Sequence, residues 1–427
     1  MYAQSARDVG ASFRSSNFHD SSSEPQRQRS ILHCDANSFF ASVETVFHPE
    51  YALVPMAVCG SVEERHGIVL AKNELAKKYK VKTGEPIWQA KQKCPSLVCV
   101  RPTYGAYAEF SKRMNEIFAD YTDLVEPFGI DESWLDVTGS RSLFGTGESI
   151  AEEIRKRIKN ELGITVSIGV SFNKVFAKLG SDLKKPDAVT VIPYESFASK
   201  VWHLPVGCLL FAGPSLVSRL SKVGIYTIGD LATADERFLT RYIGKNGLML
   251  RDFAGGRDFA PVSPIGYEPE PKSVSNGMTF RRNIKDKNDR SFAVTYLSHM
   301  VATRLRSHGL KCRTVALSLR FPDLSGINRR APAARATSLA CDIANDVLKI
   351  LYASVPDDAE LYSLTVHAEN LVRDDGSDIQ QLMFPSQSAI DYQKHSSLEN
   401  AVDRLNARYG KGTVVIGSSI KNGLITA

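Results

Sequence analysis

The sequence lacks the features of a membrane, secreted or zinc-binding protein. Its 427 residues contain no apolar run long enough to cross a bilayer. Seven cysteines occur, but none of them forms a CxxC pair or a metal-ligand spacing. Residues 1–29, rich in Ser, Gln and Arg, lack the apolar core of a secretion signal, and we expect a disordered extension there. These absences predict a cytoplasmic protein with reduced thiols and no membrane partner.

Positive charge is concentrated in one segment. Between Lys272 and Arg320 there are eleven Lys or Arg and two Asp, a local net charge of +9 against +6 for the whole chain. A run of charge is usually a solvated face, yet in Arg313–Arg320 the basic residues flank a strand-like pattern. A sheet that presents cations on one face suits the phosphate backbone of a nucleic acid.

Two segments carry carboxylates where strands are expected. Asp131 and Glu132 lie together in the apolar stretch 128–136, and Asp35 follows directly after the apolar strand pattern that begins at residue 30. Neighbouring strand residues point to opposite faces, so Asp131 and Glu132 can serve one site only if the backbone turns there. An isolated pair of this kind usually lies at a solvated hairpin tip. If the two strands pair, the three carboxylates meet and form a magnesium site, in which two ions about 4 Å apart clamp a phosphoryl transfer.

Four blocks, in order along the chain, resemble the Y-family DNA polymerases of the DinB/UmuC type. They are residues 33–44, 130–136, 169–180 and 181–186, and the resemblance extends from about residue 30 to 370. It implies an α+β multidomain fold, a right-hand polymerase with a ferredoxin-like palm, small fingers, a helical thumb and a little-finger domain. It also implies low-fidelity, template-directed translesion synthesis. We expect no proofreading, since no additional carboxylate cluster of exonuclease type is evident in the sequence.

The domain boundaries follow from this resemblance and from composition. We expect the palm at 30–38 and 103–192, the fingers at 39–102, the thumb at 193–260, a proline-rich linker at 261–271, the DNA-binding little finger at 272–373, and a C-terminal tail at 374–427.

The resemblance also assigns roles to individual residues. It implies that Asp35, Asp131 and Glu132 are catalytic and that these three residues and Ala36 hold two Mg²⁺ ions, for which Mn²⁺ can substitute. Phe40 would be the steric gate against ribonucleotides, although a random aromatic residue is more often core, and Phe39 is expected to pack behind it. The nucleotide-binding residues implied are Ser38, Phe39, Phe40, Lys77 and Lys185. The alternative for Lys185 is an ordinary exposed lysine in a surface turn. The DNA-binding residues predicted in the little finger are Arg281, Arg282, Arg313 and Arg320.

The fingers depart from the family pattern. Many relatives carry Tyr and Arg where this chain has Glu74 and Lys77. Lys77 keeps the positive charge but cannot make the two parallel hydrogen bonds that an arginine makes to a phosphate group. Glu74 would repel a triphosphate unless a neighbouring lysine offsets it.

The expected partners are primer-template DNA, deoxynucleoside triphosphates and a sliding clamp, with the chain acting as a monomer. Asp378–Phe384 resembles a bacterial clamp-binding peptide, with Gln380 as polar anchor and Met383 and Phe384 as apolar plugs. The polymerase function has two alternatives. A catalytically inactive scaffold would lack the three carboxylates, which this chain retains, and an aspartyl phosphatase would require Asp at the position where this chain has Asn37.

Overall fold

The computed structural model describes residues 28–62, 65, 67–374, 387–410 and 412–415. The chain divides into two compact units: unit 1 is Met1–Gly60 with Ile68–Glu268, and unit 2 is Ser61–Gly67 with Pro269–Ala427. Within the described ranges, every helix is too short or too polar to cross a bilayer. Most of the extension predicted at residues 1–29 lies outside the described residues.

Unit 1 is built around a mixed sheet whose central strand is fully buried. The strands run in the order β5-β6-β1-β7-β8. Strand β1 pairs antiparallel with both β6 and β7, and β7 pairs parallel with β8. All six residues of β1 are buried, including the polar residues His33 and Asp35. The bounds are β1 Ile31–Ala36, β5 Val125–Pro127, β6 Glu132–Asp136, β7 Val166–Ser171 and β8 Val189–Ile192.

Helices cover this sheet, and local signals set their ends. Their bounds are α1 Phe39–Phe47, α4 Tyr104–Ala119, α5 Arg141–Phe144, α6 Gly147–Leu162 and α7 Lys174–Leu183. Helix α6 begins after Thr146, whose side chain accepts from Ser149 N–H, and ends at Gly163, whose φ of 70° is left-handed. Helix α7 begins after Asn173, which caps Phe176 N–H, and packs on β7 and β1.

Unit 1 also holds a small three-stranded sheet and a group of short helices. The sheet has the order β3-β2-β4 and its own apolar core. Its elements are β2 Met56–Cys59, β3 Val69–Lys72, α2 Glu74–Lys78, α3 Ile87–Lys93 and β4 Val98–Val100. The short helices share another core and are α8 Phe197–Val201, α9 Pro214–Ser221, α10 Ile228–Thr233, α11 Glu236–Tyr242 and α12 Lys245–Ala254.

The proline-rich stretch 261–271 has no helix or strand, but its first residues pack within unit 1. Val262 is buried, and Ser263 N–H donates to Glu126 Oε2 at 2.8 Å. Lys174 Nζ donates to the Pro261 carbonyl at 3.2 Å.

Unit 2 is an antiparallel sheet with helices packed on one face. The strands run in the order β11-β10-β12-β9, and alternate strand residues join the helices in one apolar core. The elements are β9 Ser273–Ile284, α13 Lys287–Ser307, β10 Leu310–Arg320, β11 Gly326–Thr337, α14 Ala340–Ser354, β12 Leu361–Arg373 and α15 Gln387–Tyr409.

Helix α15 lies within the segment 374–427 that the sequence predicts as a tail. Glu399 accepts from Ala340 N–H at 3.0 Å, at the start of α14. Asp403 accepts from Arg306 Nε at 2.6 Å, and Arg306 also pairs with Glu399. These contacts hold α15 against α13 and the start of α14 within unit 2.

Candidate active site

The pairing of β1 with β6 brings two of the predicted carboxylates face to face. Asp35 on β1 is the Cα partner of Glu132 on β6. Asp131 directly precedes β6, and its carbonyl accepts from Ala36 N–H at 2.9 Å. Burial and the charges of Glu132 and Asp35 raise the pKa of Asp131 to about 6. The structure therefore brings Asp35 close to the adjacent pair Asp131 and Glu132, which follow it by almost a hundred residues in the sequence.

Two lysines lie against these carboxylates. Lys178 Nζ is 2.9 Å from Asp35 Oδ2 and also contacts Glu132 Oε2. Lys185 Nζ is 2.8 Å from both Asp35 Oδ1 and Asp182 Oδ1. Although burial acts to lower the pKa of Lys178, the charges of Asp35 and Glu132 outweigh it and hold that pKa above its usual range. Lys185 was predicted as a site residue; Lys178 was not.

His33, which is buried within the sheet, contacts the carboxylate of Glu132. Its Nε2 lies 3.1 Å from Glu132 Oε2, and its Nδ1 lies 2.9 Å from Ser181 Oγ. Burial lowers the pKa of His33. Burial also opposes the ionisation of Glu132, but the hydrogen bond to His33 and the charge of Lys178 outweigh it and lower the pKa of Glu132 to about 2.

The donor set suits a hard divalent cation. One ligand atom each from His33, Asp35 and Glu132 lies within 4.8 Å of the others. Asp131 is not a member of this close group, although the charges of Glu132 and Asp35 are near enough to raise the pKa of its carboxyl group. Carboxylate oxygens are the ligands that Mg²⁺ prefers, whereas a single imidazole does not make a zinc set. Ala36 can contribute only its main-chain carbonyl. The ammonium groups of Lys178 and Lys185 already show that this cluster stabilises positive charge.

Phe40, the predicted steric gate, lies in the first turn of α1 and is half-buried. Its ring stacks on that of Tyr107 with centroids 4.1 Å apart and planes at 12°. Phe39 is buried, and its ring packs on that of Phe40 in a tilted arrangement, with centroids 5.8 Å apart and planes at 48°. Tyr107 was not identified from the sequence; the signal that could have found it is its three-residue spacing from Tyr104, which puts two aromatic rings on one side of α4.

The remaining predicted nucleotide residues lie at the start of α1 and in α2. Ser38 precedes α1 with a left-handed φ of 50°, and its hydroxyl donates to Glu74 Oε1 at 3.2 Å. Lys77 Nζ pairs with the same oxygen at 2.5 Å. Glu74 is thus offset by Lys77 and Ser38, while Lys72 Nζ donates to Thr83 Oγ1 at 2.9 Å.

In unit 2, the predicted DNA-binding arginines are all exposed but do not share one face. Arg320 on β10 pairs with Gly326 on β11, and its side chain points to the face opposite that of the buried Leu319. Arg281 likewise follows the buried Phe280 and points away from the core. Arg282 instead bonds Asp289 of α13 at 2.7 Å. Arg313 lies at a register irregularity of β10.

The predicted clamp peptide, with Gln380, Met383 and Phe384, lies outside the described residues. The described elements next to it are β12, which ends at Arg373, and α15, which begins at Gln387.

Comparison with known proteins gives consistent results over most of the chain. Residues 34–182 match the model of the impB/mucB/samB family, and residues 271–383 match the model of that family's C-terminal domain. A DNA polymerase IV of Acetivibrio thermocellus is 49% identical over 383 residues, covering 90% of this chain and 95% of the relative. DNA polymerase IV 1 of Bacillus subtilis is 34% identical over 406 residues, covering 93% and 94%. A solved structure of a Y-family DNA polymerase chimera superposes with a TM-score of 0.70 at 25% identity, covering 81% of this chain and 99% of that one.

Proposed function

The chain belongs to the impB/mucB/samB family and is a DNA-directed DNA polymerase of the Y-family type. We propose that Asp35, Asp131 and Glu132 catalyse the addition of deoxynucleotides to a primer end. The predicted fold class is confirmed, since the neighbouring solved structure is a Y-family polymerase and the chain is mixed α and β. The observation that carries the proposal is the register of β1 and β6, which sets Asp35 opposite Glu132 with Asp131 beside them.

The family's dependence on a divalent metal fits these residues. Asp35, Asp131 and Glu132 would hold two Mg²⁺ ions, with the carbonyl of Ala36 as a further ligand. When bound, the ions lower the pKa of the primer 3′-hydroxyl and stabilise the charge that develops on the transferred phosphoryl group. Mn²⁺ offers similar coordination and is expected to substitute.

The other residues of the site bind and orient the nucleotide. Lys185, 2.8 Å from Asp35 Oδ1, is close enough to neutralise a triphosphate that approaches the carboxylates. The N–H groups of Ser38, Phe39 and Phe40, at the start of α1, are suited to triphosphate oxygens. Lys77 is already paired with Glu74, so we expect it to contribute less than Lys185. Phe40 would exclude a 2′-hydroxyl by steric overlap.

The biological role that fits is translesion synthesis at low fidelity and without proofreading. Among the residues that the structure describes, His33, Asp35 and Glu132 form the one close group of His, Cys, Asp or Glu able to hold an ion. An exonuclease site would need a further carboxylate cluster. We place the enzyme in the cytoplasm as a monomer, recruited to DNA by a sliding clamp through Gln380, Met383 and Phe384.

A primer-extension assay tests the proposal. The wild-type protein, a short undamaged primer-template and single deoxynucleotides should give extension that is directed by the template base and that stops when Mg²⁺ is chelated. Loss of extension in Glu132→Gln with retained DNA binding would assign the chemistry to this cluster. A wild-type protein that binds DNA but extends nothing would instead identify a scaffold.

A further inference from the structure

The surface behind Phe40 is an aromatic ring, not flexible aliphatic core. Tyr107 is fully buried, and its ring covers one face of Phe40 at 4.1 Å in nearly parallel stacking. Tyr104 meets Phe40 edge to face at 6.3 Å and lies mostly in solvent, with 55% of its surface exposed. A flat, buried ring leaves Phe40 little room to retreat, because interiors are close-packed and an aromatic ring cannot compress.

Tyr107 is itself fixed by hydrogen bonds. Its hydroxyl donates to Glu44 Oε1, and Thr103 N–H donates to the Tyr107 hydroxyl oxygen at 3.0 Å and to Glu44 Oε1 at 3.2 Å. Glu44 is buried, with 5% exposure, and follows Phe40 by one turn of α1. Burial and the bond to Glu44 raise the pKa of Tyr107, so its hydroxyl remains a donor.

These contacts form a closed arrangement between α1 and α4. Phe40 and Glu44 project from neighbouring turns of α1, and both meet Tyr107 in the first turn of α4. The ring of Tyr107 therefore keeps a fixed position relative to the backbone that carries Phe40.

We propose that Tyr107 is a specificity-determining positioning residue that makes the Phe40 gate rigid, with Glu44 as its anchor. The proposal rests on the proposed role of Phe40 as the gate. A gate excludes a 2′-hydroxyl only if its ring cannot move aside by the size of one oxygen atom. The stack supplies that resistance, because displacement of Phe40 would require overlap with Tyr107.

An ordinary core role for Tyr107 makes a different prediction. Truncation of a core residue lowers stability and slows the incorporation of deoxynucleotides and ribonucleotides alike. Loss of the support behind a gate instead changes the ratio of the two incorporation rates. Tyr121 is a suitable control, because it is buried in the same core with 3% exposure and its ring contacts Phe144 and Arg157 rather than Phe40.

The measurement is kcat/KM for one deoxynucleotide and the matching ribonucleotide opposite the same template base. Tyr107→Leu should lower the preference for the deoxynucleotide by about tenfold or more, whereas Tyr121→Leu should leave it within about threefold of wild type. Tyr107→Phe keeps the ring but removes the hydrogen bond to Glu44, so its discrimination should lie between that of wild type and that of Tyr107→Leu. If Tyr107→Leu does not fold, Tyr107→Met places a longer and more flexible chain in the same space and carries the same expectation.

Variants of Phe40 separate this inference from the proposed gate. Phe40→Ala should lose discrimination, and in that background Tyr107→Leu should change the ratio no further, since Tyr107 acts through Phe40. If Phe40→Ala loses discrimination but Tyr107→Leu and Tyr107→Met keep the wild-type ratio, the positioning role of Tyr107 is wrong and the gate stands. If Phe40→Ala also keeps the wild-type ratio, the gate itself is wrong.

Discussion

Lys178 shows at the scale of one residue how the carboxylate cluster is stabilised. Its ammonium group lies 2.9 Å from Asp35 Oδ2 and contacts Glu132, and only 15% of the side chain is exposed. In Lys178→Met, these carboxylates would repel one another with less compensation. We expect the free energy of unfolding without Mg²⁺ to fall by about 2 kcal/mol, because removal of one partner leaves buried charge unpaired.

Divalent cation should reverse this loss. Mg²⁺ bound to the folded state stabilises it by mass action, so the midpoint of thermal unfolding should rise more on addition of Mg²⁺ in Lys178→Met than in wild type. Lys112→Met is the matched control, since that side chain is 68% exposed and should change stability by less than about 0.5 kcal/mol. Equal Mg²⁺ shifts in wild type and Lys178→Met would show that the ion binds elsewhere.

The same residues show what the sequence could and could not predict. Asp35, Asp131 and Glu132 were identifiable because carboxylates in apolar strands need compensation, and the pairing of β1 with β6 follows from two such strands. Lys178 was missed because a lysine on an amphipathic helix is usually solvated. Tyr107 was missed because its partners, Phe40 and Glu44, lie more than sixty residues away, and aromatic spacing on a helix indicates core without naming what it packs against.

At the scale of elements, the contact between β7 and α7 positions Lys178. A Cβ added at Gly169 would lie 1.9 Å from the Ala177 carbonyl oxygen and 2.5 Å from Ser181 N, both main-chain atoms of α7. Gly169→Ala should therefore displace α7 and destabilise the fold by more than about 3 kcal/mol, or prevent folding. Gly105→Ala, in α4 with nothing within 4 Å of the added Cβ, should be neutral or stabilising. A Gly169→Ala protein that melts like wild type would contradict the close packing of these elements.

The sheet of unit 2 offers a second test at this scale. Arg320 and Arg330 lie on the β10–β11 face opposite the buried side chains. Arg330 is 3.9 Å from Glu369 Oε2, whereas Arg282 bonds Asp289 at the shorter distance of 2.7 Å. Loss of a phosphate contact lowers the slope of log affinity against log salt by about 0.9. We expect Arg320→Ala and Arg330→Ala each to weaken DNA binding alike for all sequences and to reduce this slope, with a smaller effect from Arg282→Ala. Unchanged affinity and slope in both face variants would exclude this face from DNA binding.

For the whole molecule, recruitment should be separable from chemistry. A clamp peptide raises the effective concentration of the enzyme at the primer end, so its loss should not affect short naked primers. Met383→Ala with Phe384→Ala should extend such primers normally but lose stimulation by a loaded clamp on a circular template. Clamp stimulation equal to that of wild type would mean that the segment from Gln380 to Phe384 is a chance resemblance.

The most direct test of the proposed function measures the rate of catalysis and the affinity for DNA in the same variant. A single deoxynucleotide addition by Asp131→Asn would be followed under single turnover with saturating DNA, and the Kd for the same primer-template would be measured beside it. If the cluster of Asp35, Asp131 and Glu132 performs the chemistry, the rate should fall by about a thousandfold or more while the Kd stays within about threefold of wild type. A rate close to wild type with unchanged DNA binding would contradict this assignment.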